Sequence, residues 1–261
     1  MSDRPVAVIT GASSGIGREL AKVFAANNYD IVAVARRADR LAELKQELDS
    51  VNVYPIVLDL AKVKGPRKLL EATEELGLSV DTLVNNAGTA FHGRFAEMSE
   101  SRAKGLIDLN IRSLTQCTQL FLPQMKAQGH GKILNVASIV GFQAVPSMAL
   151  YAASKAYVLS FSESLAEELA QDGITVSALC PGLTKTEMVS DLGTDQLLDF
   201  PGAELFMESP TCVAKEAFDA LQRKQVITIP GFFNKLMINW AEYQPRWLKR
   251  GLAGFAARAT W

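Results

Sequence analysis

Tyr151 and Lys155 stand four residues apart in LYAASKAYVLSFSESLAEELA, a run whose alanine, leucine and serine content predicts a helix. Residues at that spacing share one helix face, one turn above the other. A phenol and an ammonium are therefore expected side by side. A free tyrosine titrates near ~10, too high to exchange protons readily at neutral pH, and a cation within a few ångströms favours the phenolate. Lowering the value by roughly three units takes about 4 kcal/mol of differential stabilisation. Ser138 closes the apolar run KILNVAS, a predicted strand, so its hydroxyl can point at the same spot. The three side chains would supply a proton donor, its tuner and a hydrogen-bond donor for a carbonyl oxygen. A lone Tyr-x-x-x-Lys pair is common on helix surfaces, so its company decides what it means.

VAVIT (6–10) is a short β-branched run readable as a buried parallel strand. Gly11-Ala12-Ser13-Ser14-Gly15-Ile16-Gly17 follows at once, then the helical stretch RELAKVFAANN. Strand, glycine-rich turn and helix together make a phosphate cradle, because glycine permits the tight turn and a close backbone approach to a pyrophosphate. Ser13 and Ser14 add hydroxyl donors. The bland alternative is a β–α turn that holds nothing. DIVAVA (30–35) is a second buried strand, followed by Arg36 and Arg37. In dinucleotide-binding βαβ units this strand end faces the adenosine ribose, where a carboxylate suits NAD and arginines accommodate the 2′-phosphate of NADP. Arg36 is read as a phosphate ligand; for Arg37 the competing reading is a solvated charge at a helix start.

Further strands are expected at 51–60, 81–85, 132–138, 174–180 and VITIP, with helices near 64–77, 99–127, 150–171 and TCVAKEAFDALQRK. This alternation predicts an α/β fold, a doubly wound Rossmann-type parallel sheet of about seven strands in a single domain. Its catalytic and nucleotide-binding body would span 1–230, with 231–261 as an amphipathic extension. Asn85-Asn86-Ala87-Gly88 suits a close turn at a strand's carboxyl end, the ligand-binding end of such sheets. Asn110, amid apolar residues, is either a satisfied interior polar group or a bridge to a site through water. The connection from Leu183 to about Pro210 carries Met188, Val189, Leu192, Leu197, Leu198, Phe200, Leu205, Phe206 and Met207, and reads as a lid over something apolar.

The chain has 261 residues, 48% hydrophobic and 21% charged, with a net charge of −1. That suits a soluble globular enzyme and gives no reason to expect nucleic acid as a partner. Cys117, Cys180 and Cys212 are too few and scattered for a disulfide framework or a cysteine-rich zinc site, and no metal is expected. MSDR runs straight into VAVIT without a leader, and no apolar run is long enough to span a bilayer. A cytoplasmic protein is the expectation.

Gly11/Gly15/Gly17, Asp59, Asn85-Asn86-Ala87-Gly88, Asn110, Ser138, Tyr151 and Lys155, in this order and spacing, resemble the short-chain dehydrogenase/reductase family, in its compact NADP-preferring branch. The likeness covers about residues 5–230. It implies that Gly11, Ser13, Gly15, Ile16 and Gly17 hold the pyrophosphate and adenosine ribose, with Asp59 and Leu60 at the adenine. Asn86, Ala87 and Gly88 would line the cofactor pocket. Lys155, beside Tyr151, would bond the nicotinamide ribose, and Thr186 of Pro181-Gly182-Leu183-Thr184-Lys185-Thr186 the carboxamide. Ala35 stands where NAD-using members carry aspartate, and Arg36 follows it as in NADP-using members. Asn110 would bind a water that links Lys155 to solvent.

The implied reaction is hydride transfer between NADP(H) and a carbonyl or secondary alcohol, with Tyr151 as acid or base and Ser138 on the oxygen. Substrate candidates are His92, Phe142, Gln143, Met148 and Met188, each of which could equally be a loop or packing residue. The lid and tail suggest an apolar or acyl-bearing substrate. The resemblance also implies a homodimer or homotetramer built through the helices near 99–127 and 150–171. In the tail, Phe232, Leu236, Trp240, Tyr243, Trp247, Leu248, Leu252 and Phe255 recur near helical spacing. They stand among Lys235, Arg246, Lys249, Arg250 and Arg258, with Glu242 the single acid and Pro245 a break. Packing on the fold or on another subunit is the favoured reading, and peripheral membrane contact the other. The competing functions are a non-catalytic NADP-binding regulator and a lipid-handling protein on a membrane surface.

Overall fold

A computed structural model describes residues 4–188, 207–245, 247, 248, 251 and 254. β1 (Val6–Thr10) leads through α1 (Gly15–Ala26) to β2 (Asp30–Ala35), α2 (Ala38–Glu47), β3 (Val53–Val57), α3 (Gly65–Glu75) and β4 (Val80–Asn85). There follow α4 (Glu100–Ile107), a π-helical turn (Asp108–Ser113), α5 (Leu114–Gln128), β5 (Gly131–Val136), α6 (Ala149–Leu169) and β6 (Ile174–Leu179). The last elements are β7 (Leu183–Thr184), β8 (Met207–Glu208), α7 (Pro210–Gln222), β9 (Ile227–Thr228) and α8 (Phe232–Glu242).

Seven strands form one sheet in the order β3-β2-β1-β4-β5-β6-β9, every neighbour parallel. β1 lies between β2 and β4, so successive crossovers run in opposite directions from it. Beyond the carboxyl ends of β1 and β4 a crevice opens, the ligand site of such sheets. β1 and β2 are buried at every residue, as a strand covered by helices on both faces must be. β3 is shorter than the 51–60 run suggested. It is the edge strand and carries Pro55, which has no N–H to give a further neighbour. β9 pairs through Ile227 and Thr228 only.

Helices are fixed to the sheet partly by a buried polar chain. The Asn85 amide donates to Thr118 Oγ1 and to Asn135 Oδ1, and Asn135 donates to Ser162. These bonds tie β4 and β5 to α5 and α6, and each buried amide would cost free energy if left unpaired. The predicted helix over 99–127 is helical from Glu100 to Gln128 but changes pitch in the π turn that contains Asn110. In the tail, α8 ends before Pro245, as the sequence suggested. Its Asn234 and Ile238 are buried, and Ile238 joins the apolar cluster of Val158, Ala178 and Cys180. The lid residues Val189, Leu192, Leu197, Leu198, Phe200, Leu205 and Phe206 lie outside the described residues, as do Arg246, Lys249, Arg250, Leu252, Phe255 and Arg258.

Candidate active site

At the strand ends lies a cavity of about 640 Å³, within the range of ligand pockets. Its floor is the turn after β1. Gly11 and Gly15 have φ of +71° and +55°, values that a side chain would strain. A Cβ on Gly17 would strike the Asn86 amide and the Gly11 carbonyl, so that glycine lets α1 sit close to the strand ends. Thr10 locks the same junction. Its hydroxyl donates to Val84 O and accepts from the N–H groups of Asn86 and Ala87, at 2.9 and 3.0 Å, while the Asn86 amide donates to Thr10 O. Asn86 and Ala87 thus line the cavity from a clamped turn. Nothing in the sequence beyond Thr10's place at a strand end signalled that role.

The cavity brings together Gly11, Ser13, Ser14, Gly15, Ile16, Arg36, Arg37, Asp59, Leu60, Asn86, Ala87, Gly88, Ser138, Tyr151, Lys155, Pro181, Gly182, Thr184 and Thr186. Gly17, Leu183 and Asn110 do not line it. Of the substrate candidates Met188 lines it, whereas His92, Phe142, Gln143 and Met148 do not. Phe142 packs on the apolar cluster around Val158, the bland reading for that residue. Ala90, Arg102, Leu106 and Leu109 also line the cavity, apolar apart from Arg102, and no sequence pattern marks them because they come from different turns of a long helical stretch and its preceding loop.

Ser138 lies just past the end of β5 and caps a short 3₁₀ turn, Ile139–Phe142. Lys155 is 6% exposed, its Nζ donating to Val136 O at 2.7 Å and lying 5.7 Å from the centre of the Tyr151 ring. Burial lowers its ammonium to about 8, with the Cys180 thiol acting the other way. Burial also pushes the Tyr151 phenol up to about 12, against a hydrogen bond with Ser138 that pulls it down. This corrects the expectation of a tyrosine lowered by its neighbour. The charge that should have lowered it points to a backbone carbonyl and is itself disfavoured by burial.

Asn110 is 2% exposed. Its Oδ1 accepts from Thr89 N, and its amide donates to Thr89 O and Ser154 Oγ. It is a satisfied interior group that braces α6 against the loop after β4. A Cβ on Gly88 would stand 3.4 Å from Asn110 Oδ1 and 3.7 Å from Lys155 Nζ, ordinary contact distances that place Gly88 beside both.

At the other end of the cavity, Arg36 and Arg37 follow β2. Arg37 donates to Ser13 Oγ and Ser14 Oγ and pairs with Glu187 at 2.8 Å. No sequence pattern marks Glu187 for this contact. Arg36 also lines the cavity, and among the described residues it has no side-chain hydrogen bond or ion pair. A tight glycine turn at a helix start, hydroxyls and two guanidiniums fit a phosphate-bearing dinucleotide, whose pyrophosphate such a helix start accepts. The described residues contain no cluster of three or more metal-ligating side chains.

A parallel sheet with a nucleotide crevice and a serine–tyrosine–lysine constellation at its rim defines a class of dinucleotide-dependent oxidoreductase. Residues 5–197 match the model of the short chain dehydrogenase family. The chain is 34% identical over 229 residues to the 3-oxoacyl-acyl-carrier-protein reductase FabG of Staphylococcus epidermidis, covering 85% of this chain and 93% of that protein. Among solved structures it resembles a short-chain dehydrogenase from Sphingobium yanoikuyae in complex with NADPH, at 33% identity and a TM-score of 0.81 over 87% of this chain and 88% of that one. It also resembles a bulky-bulky ketone specific alcohol dehydrogenase from Comamonas testosteroni, at 29% identity and a TM-score of 0.78 over 98% and 95% of the two chains. The chain belongs to the short-chain dehydrogenase family of oxidoreductases.

Proposed function

We propose that the protein is an NADP(H)-dependent oxidoreductase that interconverts a carbonyl and a secondary alcohol. The observation that carries this reading is one cavity with Ser138, Tyr151 and Lys155 at one end and Arg36, Arg37 and the glycine turn at the other. When bound, the nicotinamide supplies or accepts hydride at the carbonyl carbon. Tyr151 gives its proton to the oxygen on which charge develops, and its phenol at about 12 holds that proton at neutral pH, the form reduction needs. Ser138 donates a hydrogen bond to the same oxygen, an interaction that strengthens as the charge grows. Lys155, beside Gly88, would hold the cofactor ribose. Thr186 would hold the carboxamide, Asp59 and Leu60 the adenine, and Arg36 with Arg37 the 2′-phosphate.

Leu106, Leu109 and Met188 favour an apolar or acyl-bearing substrate. Such chemistry agrees with the acyl-carrier and bulky-ketone names of two relatives. No described helix is long and apolar enough to cross a membrane, and a cytoplasmic location remains our reading. On α8 and just after it, Phe232, Leu236, Trp240, Tyr243 and Trp247 are exposed, which supports the assignment of the 231–261 extension to a subunit interface in a homodimer or homotetramer. Sedimentation with anionic liposomes would reveal membrane contact instead.

Titration of the protein with NADPH and NADH, followed by fluorescence, tests the cofactor. Tighter binding of NADPH, then consumption of NADPH with an apolar ketone or acyl thioester, is the expected result. Binding without turnover across such carbonyls would favour the non-catalytic regulator.

A further inference from the structure

Arg37 is the most heavily engaged guanidinium at the mouth of the cavity. Its Nε and one terminal nitrogen donate to Ser13 Oγ at 3.3 and 3.1 Å, and that nitrogen reaches Ser14 Oγ at 2.7 Å. The other terminal nitrogen holds Glu187 Oε2 at 2.8 Å, across 150 residues of chain. Glu187 comes from the segment after β7 and lines the cavity with Arg36, Arg37, Ser13 and Ser14. Arg37, a hydrogen bond with Ser14 and the charge of Arg40 hold its carboxyl below the usual range, so it is ionised at neutral pH. An anion therefore already occupies part of the cationic group that a 2′-phosphate would need.

We propose that Glu187 is a specificity-determining residue, whose carboxylate competes with the ribose 2′-phosphate for the Arg37 guanidinium and so limits the preference for NADP(H) over NAD(H). This rests on the NADP(H) reading above. Both side chains are exposed, Arg37 by 42% and Glu187 by 50%, so the pair is screened and a dianionic phosphate can displace the carboxylate. NADH offers a ribose hydroxyl at that place and has nothing to gain from Arg37's release. Arg36 stays available to either state. Glu187 thus taxes one cofactor and leaves the other alone.

The test is fluorescence titration of the full chain, wild type, E187Q, R37A and the double variant, with NADPH and with NADH. E187Q should bind NADPH about two- to fivefold more tightly, the scale of one exposed ion pair, with NADH affinity unchanged. In the R37A background E187Q should add nothing. NADH affinity also reports whether each variant keeps its nucleotide cleft. Three results would overturn the proposal: no gain for NADPH, an equal gain for both cofactors, or a gain that persists without Arg37. The last would mean simple repulsion of the phosphate. A wild-type preference for NADH would defeat the cofactor reading by itself. E187Q would then still decide the competition, upheld by a gain for NADPH alone and overturned by none.

Discussion

Lys155 and Ser138 are 6% and 9% exposed, whereas the side chains of Arg37 and Glu187, across the same cavity, are 42% and 50% exposed. At the first end burial moves titrations by large amounts, the phenol up to about 12 and the ammonium down to about 8. At the second, charges meet in water, and an ion pair there is worth at most about 1 kcal/mol. One end is set before any ligand arrives, by groups the fold has desolvated. The other is soft and can be re-partnered. On the proposed function, chemistry belongs at the first and discrimination between cofactors at the second.

The largest effects should come from the buried end. Tyr151→Phe removes the proton donor and should cut turnover by roughly 10²–10⁴-fold, with NADPH binding nearly intact. A variant that kept a tenth of wild-type activity would remove Tyr151 from the chemistry. Lys155→Met should lose turnover too, and it probes the burial directly. In the unfolded chain this ammonium titrates near 10.5, in the fold near 8. Between these values the unfolded chain holds the extra proton, so the fold gains stability as pH rises through the window. Unfolding in denaturant at a series of pH values should show wild type gaining up to about 3 kcal/mol relative to Lys155→Met from pH 8 to 10.5. Parallel curves would mean that Lys155 is not desolvated as described. Gly17→Ala, which pushes a methyl into Asn86 and the Gly11 carbonyl, should cost about 1–3 kcal/mol, read as a lowered melting midpoint.

Local pattern made much of this legible. Buried parallel strands read as continuous β-branched runs, and the glycine turn, Ser138, Tyr151 and Lys155 each stood at a strand end or on a helix face that a sequence can locate. Tyr151's titration was not legible, because the four-residue spacing to Lys155 says nothing of where Nζ points or how dry the site is. Val136 O, brought there by β5, takes that ammonium. Glu187 was invisible for a related reason. Its meaning comes from an arginine far away in the chain, and no periodicity marks a contact between two loops. Thr10 was the same case, a strand-end threonine whose hydroxyl gathers three backbone groups from β4 and the turn after it.

The smallest effects belong to the exposed end. Arg36→Ala should weaken NADPH by about tenfold, the scale of a lost charged hydrogen bond, and leave NADH nearly unchanged. Equal loss for both would take Arg36 off the 2′-phosphate. Salt sharpens the contrast between the two ends without any mutation. Raising ionic strength from about 0.1 M to about 1 M shortens the screening length from about 10 Å to about 3 Å. Charges at Arg36, Arg37 and Glu187 lie in that solvent, so the preference for NADPH over NADH should shrink. Ser138 and Lys155 are shielded from it, so turnover at saturating cofactor should hold steady. A turnover that fell in step with the cofactor preference would mean that ions reach the catalytic end as freely as the phosphate end, and that the cavity's two ends share one solvated field.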